Sequence, residues 1–197
     1  FVEDGLDGRL QFAVVQQGAF EEQHTQGVWS PDAEQIAYVV DDLAIEVVNA
    51  DGSDRRRVTL GEGEHSPAWS PDRMTIAFAS NTSDGIFIID ADGENLRTVR
   101  KDVTDARALT FSPGGDELAF IGKVGDEVER LYVVRVDGDT LRPLLPGDLV
   151  VRDVAWAADG TIAYTTTNGL YVTILDNEES TQIELEVYSP AGLDINN

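Results

Sequence analysis

One four-residue word recurs along this chain, and that recurrence limits the possible folds more than any other feature. Trp29-Ser30-Pro31-Asp32 returns as Trp69-Ser70-Pro71-Asp72, as Phe111-Ser112-Pro113-Gly114 and as Trp156-Ala157-Ala158-Asp159. The copies stand 40, 42 and 45 residues apart, and an echo at Tyr188-Ser189-Pro190 follows 32 residues after the fourth. A fixed period of this length marks a chain built from repeated supersecondary units.

Each copy opens the same series. A β-rich run follows at 36–39, 76–79, 118–121 and 162–165, then a second at 44–48, 86–89, 131–134 and 170–174. A turn comes next: Asp51-Gly52, Asp92-Gly93, Asp137-Gly138 and a worn Asp176-Asn177. The series closes on a more polar run at 57–60, 96–99, 141–145 and 183–187. Asp-Gly between two β runs supplies the positive φ that a tight hairpin needs. Proline after the serine cannot donate to a ladder, so it ends the strand that bears the aromatic residue. The runs are rich in Val, Ile, Phe and Tyr, which suit a pleated half-buried surface. No helical period of useful length competes with them.

Four strands in each period of 40 to 45 residues predict an all-β chain, a β-propeller of four-stranded antiparallel blades. The blades are expected at 24–63, 64–104, 105–150 and 151–187, with partial strands at 6–20 and 187–197. The whole is one propeller domain or part of one. Trp29, Trp69, Phe111 and Trp156 are expected to fill the wedge between adjacent blades.

WSPD, an Ile-Ala-Phe/Tyr strand, a hydrophobic strand and an Asp-Gly hairpin together resemble the TolB-type propeller repeat. The resemblance covers about residues 24–187. The fourth copy departs from it, with Ala-Ala for Ser-Pro and Asp-Asn for Asp-Gly. The resemblance implies a bacterial or archaeal cell-envelope setting, extracytoplasmic, and rings that are usually six-bladed. It also implies a role as a protein-binding platform or as an accessory domain of a larger chain. Four blades plus ends leave two possibilities: a five-bladed ring closed by joining the two ends, or a piece of a longer propeller.

Charge narrows the partners. Thirty-seven Asp and Glu face 14 Lys and Arg, a net charge of −23. Such a surface repels nucleic acid and anionic lipid and favours cationic partners. Lys101 and Lys123 are the only lysines. Acidic, lysine-poor chains also occur in high-salt organisms, so the acidity reads as adaptation before it reads as recognition. No apolar run approaches the roughly 18 residues that a spanning helix needs. The chain opens on Phe1 without a leader pattern and reads as a processed or trimmed product. Without cysteine there is neither a disulfide nor thiolate chemistry.

No catalytic constellation stands out. The histidines are His24 and His65, and there is neither a Gly-x-Ser-x-Gly elbow nor a glycine-rich phosphate loop. Asp90 and Asp92 offer oxygens on a tight turn, but their recurrence at hairpin positions favours turn chemistry over a metal site. No cofactor is expected. Asn81-Thr82-Ser83 fits a surface loop, and Arg55-Arg56-Arg57 fits the shielding of an exposed edge.

One alignment points to a site. Four residues before each aromatic stand Thr25, His65, Arg107 and Arg152. Radial symmetry would gather them at the mouth of a central channel, where arginine forks could hold a carboxylate or phosphate. The plainer alternative is that they pair with local acids such as Glu64, Asp105 and Asp153. The functional expectation is a non-enzymatic scaffold that binds a protein or peptide through rim loops and channel mouth, with room for a small anionic ligand there. The alternative is an accessory propeller of a peptidase or other hydrolase. A sugar-acid lyase would need clustered histidines.

Overall fold

A computed structural model of the chain describes residues 24–61, 63–145, 149–174 and 181–183. All strands among them fall into four antiparallel four-stranded sheets, each a meander in sequence order. Blade 1 comprises β1 (His24–Trp29), β2 (Gln35–Val40), β3 (Ala44–Asn49) and β4 (Arg56–Arg57). Blade 2 comprises β5 (Glu64–Trp69), β6 (Thr75–Ser80), β7 (Gly85–Asp90) and β8 (Arg97–Arg100). Blade 3 comprises β9 (Val103–Phe111), β10 (Glu117–Val124), β11 (Arg130–Arg135) and β12 (Leu141–Pro143). Blade 4 comprises β13 (Val151–Trp156), β14 (Thr161–Thr166), β15 (Gly169–Ile174) and β16 (Thr181–Ile183). The partial strands expected at 6–20 and 187–197 lie outside the described residues, as does the echo at Tyr188. No described helix is long and apolar enough to cross a membrane.

The recurring word is a turn clip. In blade 1 the Ser30 hydroxyl donates to Asp32 Oδ1 at 2.6 Å and accepts the Gln35 amide at 2.9 Å. Blade 2 repeats this with Ser70, Asp72 and Thr75 at 2.6 and 3.0 Å. Blade 3 keeps the serine, and Asp116 replaces the missing aspartate at 3.2 Å. Blade 4 has alanine there, and its hairpin closes one residue earlier, from Ala157 N to Thr161 O. Four residues after each aromatic the chain turns left-handed, at Ala33, Arg73, Gly115 and Gly160. Glycine suits that conformation, whereas Ala33 and Arg73 carry a Cβ against it.

The Asp-Gly turns behave as expected, with φ of 86°, 93° and 81° at Gly52, Gly93 and Gly138. The aspartate adds a second function. Asp51, Asp92 and Asp137 each accept the amide two residues on, at 2.9, 3.0 and 3.1 Å. The last strands are shorter than the sequence suggests. In blade 1 the amides of Val58 and Thr59 both turn to Ile45 O. The chain thereby leaves the ladder and carries Val58 into the core.

That core is three apolar seams between successive blades. One joins Val39, Ile45, Val47 and Val58 to Trp69, Ile76 and Phe78. The next joins Ile86, Ile88 and Val99 to Phe111, Leu118 and Phe120. The third joins Ile121, Leu131 and Val133 to Val151, Ile162 and Tyr164, with Trp156 against it. Strand alternation feeds both faces, so Ile76 and Phe78 face blade 1 while Ala77 and Ala79 face blade 3. Trp69, Phe111 and Trp156 therefore each pack on the preceding blade. Trp69 and Phe111 are buried as expected, but Trp29 is 43% exposed because no preceding blade covers it among the described residues.

Blades 2, 3 and 4 each stack two rings across their middle strands. The pairs are Phe78–Phe87 and Phe120–Tyr132, with centroids 5.6 Å apart, and Tyr164–Tyr171 at 5.4 Å. Blade 1 pairs Tyr38 with Glu46 at the same register. Its front is thus polar: the Tyr38 hydroxyl donates to Glu46 Oε2 at 3.1 Å, and Arg55 Nε donates to the same oxygen at 2.5 Å.

Candidate functional site

The inner strands β1, β5, β9 and β13 pack in series, so their first residues lie around one mouth. The turns β2–β3, β6–β7, β10–β11 and β14–β15 and the links between blades open on the same face. Near their starts the first three inner strands carry a β-bulge. The extra residue is left-handed, with φ of 53° at Gln26, 54° at Ser66 and 51° at Ala108. Strained non-glycine residues recurring at one place are held there by their surroundings.

Register fixes which residues are equivalent. Thr25 pairs with Val39, His65 with Ala79 and Arg107 with Ile121. In blade 4 the residue at that register is Asp153, opposite Thr165. Counting back from Trp156 placed Arg152 there. Blade 4 corrects this, because β13 runs regularly from Trp156 to Asp153 and bulges one step later, so Arg152 becomes the extra residue. The mouth therefore presents Thr25, His65, Arg107 and Asp153 at one level.

The side chains at this level make mostly protein contacts. Arg107 forks onto Glu129, with Nη2 2.9 Å from Oε1 and Nη1 on Oε2. Arg107 Nη2 also donates to Val151 O at 3.2 Å, which ties blade 3 to blade 4. Gln26 Oε1 accepts the Ser66 amide at 2.5 Å and ties blade 1 to blade 2. His65 Nε2 lies 2.9 Å from Asn81 Oδ1, and Nδ1 lies 3.2 Å from Ser66 Oγ. Lys123 reaches Asp105 at 2.6 Å and holds that carboxyl below its usual range. Of the three local acids named as alternatives, none pairs with a ring residue among the described residues; Asp105 takes Lys123, and Arg107 takes Glu129 instead. Among the described residues Lys101, Arg130 and Arg152 form no ion pair.

The same rim exposes large apolar side chains. Leu43 lies in the β2–β3 turn and Val128 in the β10–β11 turn. Leu60, 94% exposed, and Val150 lie in the links from β4 to β5 and from β12 to β13. Asp41 and Asp42, both left-handed, shape the turn that holds Leu43 out.

The opposite rim carries the clips. A cavity of about 390 Å³ lies there between blades 1 and 2, among Ser30, Asp32, Glu34, Gln35, Asn49, Asp72, Arg73 and Met74. Its carboxylates are largely engaged: Asp32 accepts from Ser30 and from Arg73, which together hold it far below the usual carboxylate range. Asp90 takes the Asn95 side-chain amide at 2.7 Å, and Asp92 caps its own turn. No group of three or more His, Asp or Glu among the described residues is placed to hold a metal.

Glu129 and Gln26 were not singled out from the sequence, and Asn81 was named only as part of a surface loop. Glu129 stands 22 residues from Arg107, and only the fold makes them neighbours. Glu46 could have been found, because it occupies the place where the other copies carry Phe87, Tyr132 and Tyr171.

No family model matches the chain, and no curated protein sequence matches it. Solved structures do. A putative TolB from Agrobacterium tumefaciens superposes with a TM-score of 0.73 at 18% identity, over 85% of this chain and 64% of that one. TolB from Acinetobacter baumannii gives 0.69 at 18% identity, over 82% of this chain and 43% of that one. A chain of a nidogen/laminin complex gives 0.69 at 14% identity, over 81% and 64%. This chain therefore spans less than two thirds of the length of each.

Proposed function

Starting from the TolB-like β-propeller fold that these superpositions show, we propose that the protein is a non-enzymatic binding scaffold of the cell envelope or exterior, engaging a protein partner through the mouth face. The observation that carries this reading is the row of exposed Leu43, Leu60, Val128 and Val150 on the links and turns of one rim. Apolar groups held out on a rigid scaffold are suited to burial against a partner. The fold neighbours lend support, since one belongs to a protein–protein complex.

The chemistry at the mouth favours a protein over a small anion. Arg107 already holds a carboxylate in its fork, and Asp153 takes the fourth place in the ring. A net charge of −23 is compatible with a partner that has a basic surface. The test is capture from an envelope extract by the wild-type chain and by Leu43→Asp/Leu60→Asp. Loss of a captured band in the variant, with retained circular dichroism, supports the mouth face; identical capture removes it. An accessory role beside a hydrolase domain is the second reading, favoured by the Trp29 face of blade 1, which no blade among the described residues covers and which a neighbouring domain would shield.

A further inference from the structure

Glu64 opens β5 at the junction of blades 1 and 2 and is 7% exposed. Its amide donates to Leu43 O at 3.3 Å, so the residue is pinned beneath the β2–β3 turn. Its carboxyl packs against the link: a Cβ on Gly61 would stand 2.1 Å from Oε1. Oε2 is buried with no hydrogen-bond partner. A buried carboxylate oxygen without a donor is costly, and protonation removes most of that cost.

The surroundings offer little to hold a charge. The link contributes the Thr59 hydroxyl, which also accepts the Ile45 amide at 2.8 Å. β4 contributes Arg57, whose guanidinium turns to Glu46 at 3.5 Å. The β2–β3 turn, whose Leu43 carbonyl takes the Glu64 amide, carries Asp41 and Asp42 and no cation. β6 places Ser80 opposite, and the β6–β7 turn places Asn81, engaged with His65. Glu62, in the same link, lies outside the described residues. Burial pushes the Glu64 carboxyl up, and Thr59, the Gly61 backbone and Arg57 offset this only in part.

We propose that Glu64 is a pH-sensitive latch: protonated, it holds in place the β4–β5 link that carries the exposed Leu60, and its ionisation loosens that segment of the mouth rim. The sign follows from linkage. In the loosened state the carboxyl is hydrated and titrates near its ordinary value; in the latched state it titrates higher. The latch is therefore fully stabilised below the ordinary value and weakens as pH rises through the raised one. The latch concerns the rim segment itself and does not depend on what the rim binds.

Hydrogen exchange of the amides at 58–64 tests it, measured from pH 4 to pH 8 in the full chain and in Glu64→Gln at each pH. The ratio of wild-type to variant rates should be near one at pH 4. It should then rise by up to roughly tenfold per pH unit over the interval between the two titration points before levelling. A ratio that stays flat overturns the proposal. A carbon-13 titration of the Glu64 carboxyl in the unmodified chain needs no variant. A midpoint at or below about 4.3, the ordinary glutamate value, overturns the proposal independently.

Discussion

Blades 3 and 4 have the same strands in the same order, yet they are buried very differently. Third strand β11 buries four of its six residues, whereas β15 buries only Thr173. Each has a stacked aromatic pair and each packs on the blade before it. Blade 3 is also covered from behind by blade 4, while Ile174 and Ile183 of blade 4 stand exposed. Blade 1 shows the same asymmetry at the other end, where Trp29 is open and Trp69 is closed. A blade here is thus half of two interfaces, and its stability belongs to the junctions.

The strongest way to break the comparison is at the stacked pairs. Tyr132→Ala should cost about 3–5 kcal/mol, as expected for an aromatic that is 2% exposed. Tyr171→Ala, at the equivalent place of Tyr132 but only half-buried, should cost less than half as much. Urea denaturation measures both, and equal losses would mean that blade 4 is as well enclosed as blade 3.

Blade 1 differs chemically as well, and pH separates it from its neighbour. Burial alone would raise the Glu46 carboxyl, but Arg55, the Tyr38 hydroxyl and Arg57 outweigh it and hold it low. A lowered carboxyl stabilises above its ordinary range, and that stability is lost as pH falls through the lowered value. Glu46→Gln should therefore destabilise by about 1–3 kcal/mol near neutrality and by progressively less in acid. Glu64→Gln should do the opposite, gaining stability near neutrality with no change in acid. Thermal melts at pH 4 and pH 7 would show the two variants moving in opposite directions.

A smaller effect tests the clips. Ser112→Ala should cost about 1 kcal/mol, since the Glu117 amide and Asp116 both lose the hydroxyl. Ala157→Ser should return nothing comparable, because the blade 4 hairpin is one residue shorter. The smallest change expected is a gain. Ala33 is left-handed at φ 59°, so Ala33→Gly should stabilise by roughly 0.5–1 kcal/mol, visible as a small rise in melting temperature.

The propeller was legible because its signals are local and repeated. Asp-Gly, Ser-Pro and two-residue alternation each act within a few residues, so four copies reinforce one reading. The exposure of Trp29 was not legible, because the word that contains it is identical to the buried one at Trp69. The mouth was half legible. His65 and Arg107 came from counting, but the count failed at Arg152, where the bulge is shifted. A bulge depends on how two strands register, and nothing in Val-Arg-Asp-Val announces it. The fork of Arg107 onto Glu129 was invisible for the same reason: the two meet only across β10.

The aspartate caps bear on how far this protein's charge can be altered. Asp32, Asp51, Asp72, Asp92, Asp137 and Asp159 each give an oxygen to the amide two residues on. These six anions hold hairpins in shape whatever the habitat. An engineer wishing to neutralise the surface should spare them and change exposed acids such as Asp126 and Asp139 instead. The smallest net charge this architecture tolerates is then set by its corners, with solubility a separate matter.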